Sequence, residues 1–261
     1  MRTRIFQIDA FTARRFGGNP AAVIPLQSFL PDAVLQAVAA ENNLAETAFL
    51  VAEGGDYRLR WFTPTTEVPL CGHATLASAA AVMERLEPER NAVVFHSASG
   101  PLQVKRAGTG YVMDFPVRAS EPVSPPPGLA RALGAVPIEV CVNAFNYMAL
   151  LDSPQVLREL APDMAGLARL DRGGVIVTAA GDAGYDFVSR YFAPAKGVPE
   201  DPVTGSAHCM LVPYWAKRLG KSVFRAFQAS RRGGEILCRL VGDRIELEGT
   251  CVFYLEGEVE I

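Results

Sequence analysis

The chain has 261 residues, 28.1 kDa, 49% hydrophobic residues and a formal net charge of −3 with a pI near 5.7; no basic run exceeds Arg231-Arg232, which argues against nucleic-acid binding. No apolar run approaches the roughly 18 residues of a membrane span, and the start Met1-Arg2-Thr3-Arg4-Ile5-Phe6-Gln7-Ile8-Asp9 turns polar too soon for a signal peptide, so a cytoplasmic protein is expected. Five scattered cysteines, Cys71, Cys141, Cys209, Cys238 and Cys251, include no Cys-x-x-Cys pair and read as reduced thiols, with neither disulfide nor structural zinc.

The first strand candidate is Ile5–Phe11, followed by the Gly17-Gly18-Asn19-Pro20 turn signal and a returning strand at Ala21–Ile24. Asp32–Ala40 carries apolar residues at helical spacing and stops at Asn42-Asn43. Leu44–Val51 is a strand with Glu46 near its start, and Arg58–Phe62 is the next strand. Ala74–Leu86 is a helix apolar on most sides and therefore expected inside its domain. Strands follow at Ala92–His96, Gly100–Lys105 and Gly110–Phe115, which with the helix suggest a curled sheet wrapped on it, an α+β unit and not a parallel Rossmann sheet. Ser120–Gly128, with four prolines, is the best linker. The second half has strands at Val140–Phe145 and Tyr147–Leu151 and a helical pair between Ser153 and Leu170. Further strands at Val175–Thr178 and Asp186–Phe192 lead to a helix at Ala207–Leu219 ended by Gly220, and the tail Arg225–Ile261 is rich in strands.

One stretch occurs twice. Arg60-Trp61-Phe62-Thr63-Pro64 leads through Glu67-Val68-Pro69-Leu70-Cys71-Gly72-His73-Ala74; Arg190-Tyr191-Phe192-Ala193-Pro194 leads through Glu200-Asp201-Pro202-Val203-Thr204-Gly205-Ser206-Ala207. Two related halves are therefore expected, with a boundary near residue 118: 1–118 and 119–261, the final strands being candidates to cross back. Each loop opens a helix, whose first N–H groups and dipole favour an anion. If the halves face each other, both loops address one small carboxylate. The alternative is duplication that retains glycine and proline only for turning the chain.

The candidates for chemistry are Glu46, His73 and Asp201, with Cys71, Ser206 and the amides around Gly72 and Gly205. Two carboxylates and an imidazole beside an anion-binding loop suit proton transfer at a carbon next to a carboxyl group. Each has a structural reading: Glu46 as an exposed strand-end residue, His73 as a loop-bonding residue, Asp201 as a turn residue before proline. Cys71 at a helix start could be a nucleophile or base, but its partner position holds Thr204. His96 and His208 read as structural, and their spacing with His73 matches no metal motif.

Several segments in order, Gln7-Ile8-Asp9-Ala10-Phe11-Thr12, Phe16-Gly17-Gly18-Asn19-Pro20-Ala21-Ala22-Val23, Leu44-Ala45-Glu46-Thr47-Ala48-Phe49, Val68–Thr75, Ser99-Gly100-Pro101-Leu102, Met113-Asp114-Phe115-Pro116 and Glu200–His208, resemble the PhzF-like phenazine biosynthesis family over essentially the whole chain. The resemblance implies a fold similar to diaminopimelate epimerase: two pseudo-symmetric halves, each a curved, mostly antiparallel sheet around a central helix. It also implies an active site between the halves, no cofactor or metal, and often a homodimer. By its motifs the family's proton-shuttling glutamate falls on Glu46, its histidine on His73 and its aspartate on Asp201. Substrate contacts fall on Gly72, His73, Gly205 and Ser206, with Cys71 and Asn19 beside them. Ala45 departs from the serine of many relatives, and Gln228–Gly234 follows the family's Gln-Gly pattern only loosely. The reading is thus a cofactor-independent isomerase of a small carboxylate. A cysteine-based racemase or epimerase and a non-catalytic binding module of the same fold are the alternatives.

Overall fold

A computed structural model describes all 261 residues. The chain forms two compact units, Met1–Asp114 with Leu247–Ile261, and Phe115–Glu246. The division falls before the proline-rich stretch, and the last strand, Cys251–Glu260, joins the first unit by pairing antiparallel with Arg2–Ala10.

The first unit runs β1 (Arg2–Ala10), β2 (Asn19–Leu26), α1 (Asp32–Asn42), β3 (Glu46–Glu53), β4 (Asp56–Phe62), β5 (Glu67–Val68), α2 (Gly72–Ala81), β6 (Ala92–Ser97), β7 (Gly100–Ala107) and β8 (Gly110–Pro116). β2 lies parallel to β3 with Ala21 opposite Glu46, and β4 lies parallel to β6; the other pairs, β1–β2, β3–β4, β4–β5, β6–β7 and β7–β8, are antiparallel. Nine of the ten α2 residues are buried. Its Ala, Ser and Thr side chains admit close neighbours: a Cβ on Gly249 would stand 2.4 Å from the Phe11 ring and 3.3 Å from Leu76. α1 covers another face, where Leu35 and Ala39 pack with Ile24, Phe49, Val51 and Phe62. It ends where Asn43 takes the left-handed conformation, φ 48°, and donates its N–H to Ala39 O.

Two elements differ from the sequence reading here. The central helix starts at Gly72, two residues early, and from Val82 to Leu86 it continues as a π-turn. Glu46 opens β3, so Leu44 and Ala45 lie before the strand.

The second unit runs β9 (Glu121–Pro122), α3 (Leu129–Leu133), β10 (Glu139–Val142), β11 (Asn146–Leu150), α4 (Pro154–Glu159), α5 (Met164–Ala168), β12 (Gly174–Ala180), β13 (Phe187–Ala193), β14 (Val198–Asp201), α6 (Gly205–Leu219), β15 (Val223–Gln228), β16 (Gly234–Val241) and β17 (Arg244–Gly249), at whose Leu247 the chain re-enters the first unit. The pairing plan repeats: β11 is parallel to β12 and β13 to β15, with antiparallel pairs between them. α3, α4 and α5 pack on β10–β13 through Leu129, Leu133, Leu157, Leu167, Val177 and Phe192. The expected strand Val140–Phe145 stops at Val142, because Asn143 Oδ1 accepts the N–H groups of Phe145 and Asn146 and turns the chain. Within α6, Pro213 has no N–H for Cys209 O, and that carbonyl accepts the Arg118 N–H instead, at 2.9 Å.

The repeat is structural as well as sequential. Arg60 grips Glu67 with two bonds of 2.7 Å, and Arg190 grips Glu200 with bonds of 2.7 and 3.0 Å, so each half ties its sheet to its loop by the same fork. No helix is long and apolar enough to cross a membrane.

Candidate active site

In the first unit, the sharp loop before α2 is built by hydroxyl groups. Thr63 Oγ1 accepts the N–H groups of Thr65 and Thr66, Ser99 Oγ donates to Pro69 O at 2.8 Å, and Thr75 Oγ1 donates to Cys71 O at 2.6 Å. Cys71 is extended (φ −143°) and supplies no side-chain bond to cap the helix, which begins at Gly72. The first N–H groups of α2, at Gly72 and His73, therefore lie at the positive end of a helix with no carbonyl inside it to accept them.

Four of the predicted residues meet here. Glu46, first in β3, brings Oε2 within 3.1 Å of His73 Nε2. Cys71 Sγ lies 3.5 Å from His73 Nδ1, and the side-chain amide of Asn19, first in β2, lies 3.0 Å from the same nitrogen. The imidazole turns Nε2 to the carboxylate and Nδ1 to the thiol and the amide, and one ligand atom each of Glu46, Cys71 and His73 lies within 4.8 Å of the others, so the three form a tight cluster. Asn19 and His73 are buried, while the Glu46 side chain keeps 16% exposure, its Oε2 facing inward.

The electrostatics follow from burial. The Cys71 thiol is pushed up to about 11, chiefly by burial and then by the Glu46 carboxylate, so it keeps its proton at neutral pH. For His73, burial acts to lower the basicity. The Glu46 carboxylate and the hydrogen bonds of Cys71 and Glu46 act against it and hold the ring above its ordinary range. An Asn19 amide can offer oxygen or nitrogen to Nδ1 according to the proton there.

In the second unit, Asp201 closes β14, and Thr204, Gly205 and Ser206 lead into α6. Asp201 Oδ2 accepts the Thr204 hydroxyl at 2.5 Å. Gln228, fully buried at the end of β15, accepts the Thr204 N–H at 2.8 Å and donates to Asp201 O at 2.7 Å and to Thr204 Oγ1 at 3.1 Å. Ser230 Oγ donates to Pro202 O at 2.7 Å, the counterpart of Ser99 and Pro69. His208, buried, donates Nδ1–H to Thr204 O at 2.8 Å, the counterpart of Thr75 and Cys71, and so is structural. His96 is exposed.

Sequence reasoning had no role for Gln228, Ser99 or Ser230. The serines were findable, because each stands two residues beyond the strand after its helix (β6 or β15). Gln228 heads the loosely matched Gln-Gly segment, but its role depends on the parallel pairing that sets Ser189 opposite it.

Two halves that each enclose a buried helix in a mostly antiparallel sheet define an α+β protein of the diaminopimelate epimerase-like class. A probable proline racemase from Agrobacterium radiobacter shares that fold, with a TM-score of 0.66 at 11% identity over 99% of this chain and 93% of its own. Residues 8–257 match the phenazine biosynthesis-like protein family, PhzC-PhzF, and the chain belongs to it. It is 48% identical over 261 residues, 100% of both chains, to an uncharacterized isomerase of Pseudomonas aeruginosa. A crystal structure of a PhzF-family protein from Enterococcus faecalis matches with a TM-score of 0.96 and 42% identity over 100% of both chains.

Proposed function

We propose that the chain is a cofactor-independent isomerase of the PhzF type that moves a proton between carbons of a small carboxylate-bearing metabolite. Glu46 removes a proton from a carbon adjacent to a conjugated carboxyl system; the electron pair left behind delocalises toward the carboxyl group. The proton then returns from Glu46 to a second carbon. His73, the neighbour of Glu46, steadies the changing charge on that carboxylate. The first amides of α2, at Gly72 and His73, take up the substrate carboxylate, and in the second unit Asp201 and the amides of Gly205 and Ser206 are the corresponding candidate substrate contacts. The observation that carries this reading is the partly exposed Glu46 carboxylate 3.1 Å from a buried imidazole, beside the start of a helix. The names of close relatives, which include uncharacterized isomerases, point the same way.

The racemase reading, with Cys71 as the base, finds less support. Its thiol is held protonated, and Thr204 fills the matching position of the second half. A homodimer is part of the proposal and is checked by light scattering.

The test is solvent-deuterium uptake into dihydro-hydroxyanthranilate, proline and diaminopimelate, read by mass spectrometry. Exchange that falls by about 10²–10⁴-fold in Glu46→Gln supports the shuttle. Exchange that survives Glu46→Gln but is lost in Cys71→Ser would instead establish the racemase chemistry. Carboxylate binding without any exchange would leave a binding module.

A further inference from the structure

Three differences between the two halves fall on one contact. Where the first half has Val68, the second has Asp201; where the first has Cys71, the second has Thr204; and where β6 ends in Ser97, β15 ends in Gln228. The Ser97 hydroxyl serves its own turn by donating to Gly100 O. Cys71, with no carboxylate three residues before it, turns its sulfur to His73. In the second half the three replacements bond to one another. Gln228 is fully buried and spends both ends of its amide on the loop, and the Thr204 hydroxyl receives one N–H from it and passes its own hydrogen to Asp201 Oδ2.

A loop that only had to turn would not need this. The first half makes the same turn with serine to the proline carbonyl and a side chain to the carbonyl four residues back, and the second half retains both bonds. One of the extra bonds ends on the Asp201 carboxylate, and the three from Gln228 hold the Thr204 N–H, the Thr204 hydroxyl and the Asp201 backbone carbonyl around it. A hydroxyl is also a stronger donor than the thiol it replaces.

We infer that Thr204 and Gln228 are a positioning pair for Asp201: Gln228 fixes the loop backbone and orients the Thr204 hydroxyl, which holds the Asp201 carboxylate in one rotamer for the substrate. The inference rests on the reading above in which Asp201 meets the substrate. It adds two residues that act through Asp201 and do not touch the reacting atoms.

The experiment is a carbon-13 NMR titration of aspartate side-chain carboxyls in the full chain, with the Asp201 resonance identified by its loss in Asp201→Asn. Thr204→Val, nearly isosteric, removes the donor to a charged acceptor and moves the Asp201 midpoint upward by about 1–2 pH units; Thr204→Ser returns it. Gln228→Glu puts an acceptor where an N–H now faces Asp201 O, and shifts the same midpoint while circular dichroism reports whether the fold persists. Deuterium exchange into dihydro-hydroxyanthranilate falls by about 10–100-fold in Thr204→Val and recovers in Thr204→Ser. A folded Thr204→Val with unaltered midpoint and exchange, beside an inactive Asp201→Asn, overturns the positioning pair alone. Wild-type exchange in Asp201→Asn overturns the pair together with the role given to Asp201.

Discussion

His208 makes the stability of the second unit sensitive to mild acid, and the size of the effect can be worked out from its surroundings. Its ring is fully buried, its Nδ1–H is committed to Thr204 O, and Nε2 has no hydrogen-bond partner and lies in a setting that includes the Phe187 ring at 5.9 Å. Burial lowers its basicity from 6.5 to about 4, with the Thr204 bond opposing only weakly. A proton at Nε2 would be a buried N–H without an acceptor. Between about 6.5 and about 4 the unfolded chain binds a proton that the folded chain refuses, so stability falls as pH falls through that window. The full loss is about 3 kcal/mol, and about 2 kcal/mol of it is spent between about pH 7 and about pH 5, or roughly 4–8 °C in Tm. The control is His208→Thr, which installs the residue the first half uses at this position and keeps a bond to the carbonyl four residues back. It is less stable at every pH because it leaves a gap, yet its loss between the two pH values is smaller than that of the wild type by about 2 kcal/mol. Denaturation curves for both proteins with equal pH slopes would refute the argument. His73 has the opposite sign. Its raised basicity stabilises fully below 6.5 and the contribution is lost as pH rises through the folded value, so His73→Gln alters the alkaline side of the profile and leaves the acid window to His208.

The paired forks differ in burial and should differ in consequence. Arg190 and Glu200 are 10% and 22% exposed, so Glu200→Gln leaves a buried guanidinium with carbonyl partners but no counter-charge and lowers stability by about 3 kcal/mol; Glu67→Gln, where the carboxylate is 40% exposed, costs about 1 kcal/mol or less by the same urea titration. At neutral pH the Cys71 thiol, buried and held up to about 11, reacts with iodoacetamide on the order of 10²-fold more slowly than a free thiol, and rapid single-site labelling by mass spectrometry would contradict that. Gly18 has φ +62° and a Cβ there would sit 2.2 Å from Ala10 O, so Gly18→Ala lowers stability by about 1–3 kcal/mol or more and disturbs Asn19 next to it, read as a lower Tm.

Much of this was legible in the residues. Apolar period, the Asn43 and Gly220 stops and the doubled Arg…Glu-x-Pro-x-x-Gly pattern mark α1, the two central helices and their loops, because local chain chemistry decides those features. Glu46 and His73 were legible as types of residue, and the structure brings them to 3.1 Å. Their spacing in sequence says nothing of it, since the contact depends on β3 running parallel to β2 and on α2 lying against both. α3 was missed because five residues behind three prolines carry too little periodicity to stand out. β5 and β14 are too short to show alternation, and are strands only because β4 and β13 offer them a partner.

The comparison of the halves also sorts the site residues by what they do. Contacts that any such loop needs are kept in both copies: the Arg–Glu fork, the serine on the proline carbonyl, and the side chain on the carbonyl four residues back, whether threonine or histidine supplies it. The identity of the donor could drift there because only its hydrogen bond mattered. Among the positions that changed their chemical nature are Val68 against Asp201, Cys71 against Thr204 and His73 against Ser206, and these involve a candidate acid or base or stand at the first amides of their helix. Turning the chain places no demand on these three positions that would separate valine from aspartate or histidine from serine. An unequal demand on the two loops does so. The difference between the loops does not fit the two matched bases of a symmetric racemase, in which Cys71 and its counterpart Thr204 would both have remained thiols.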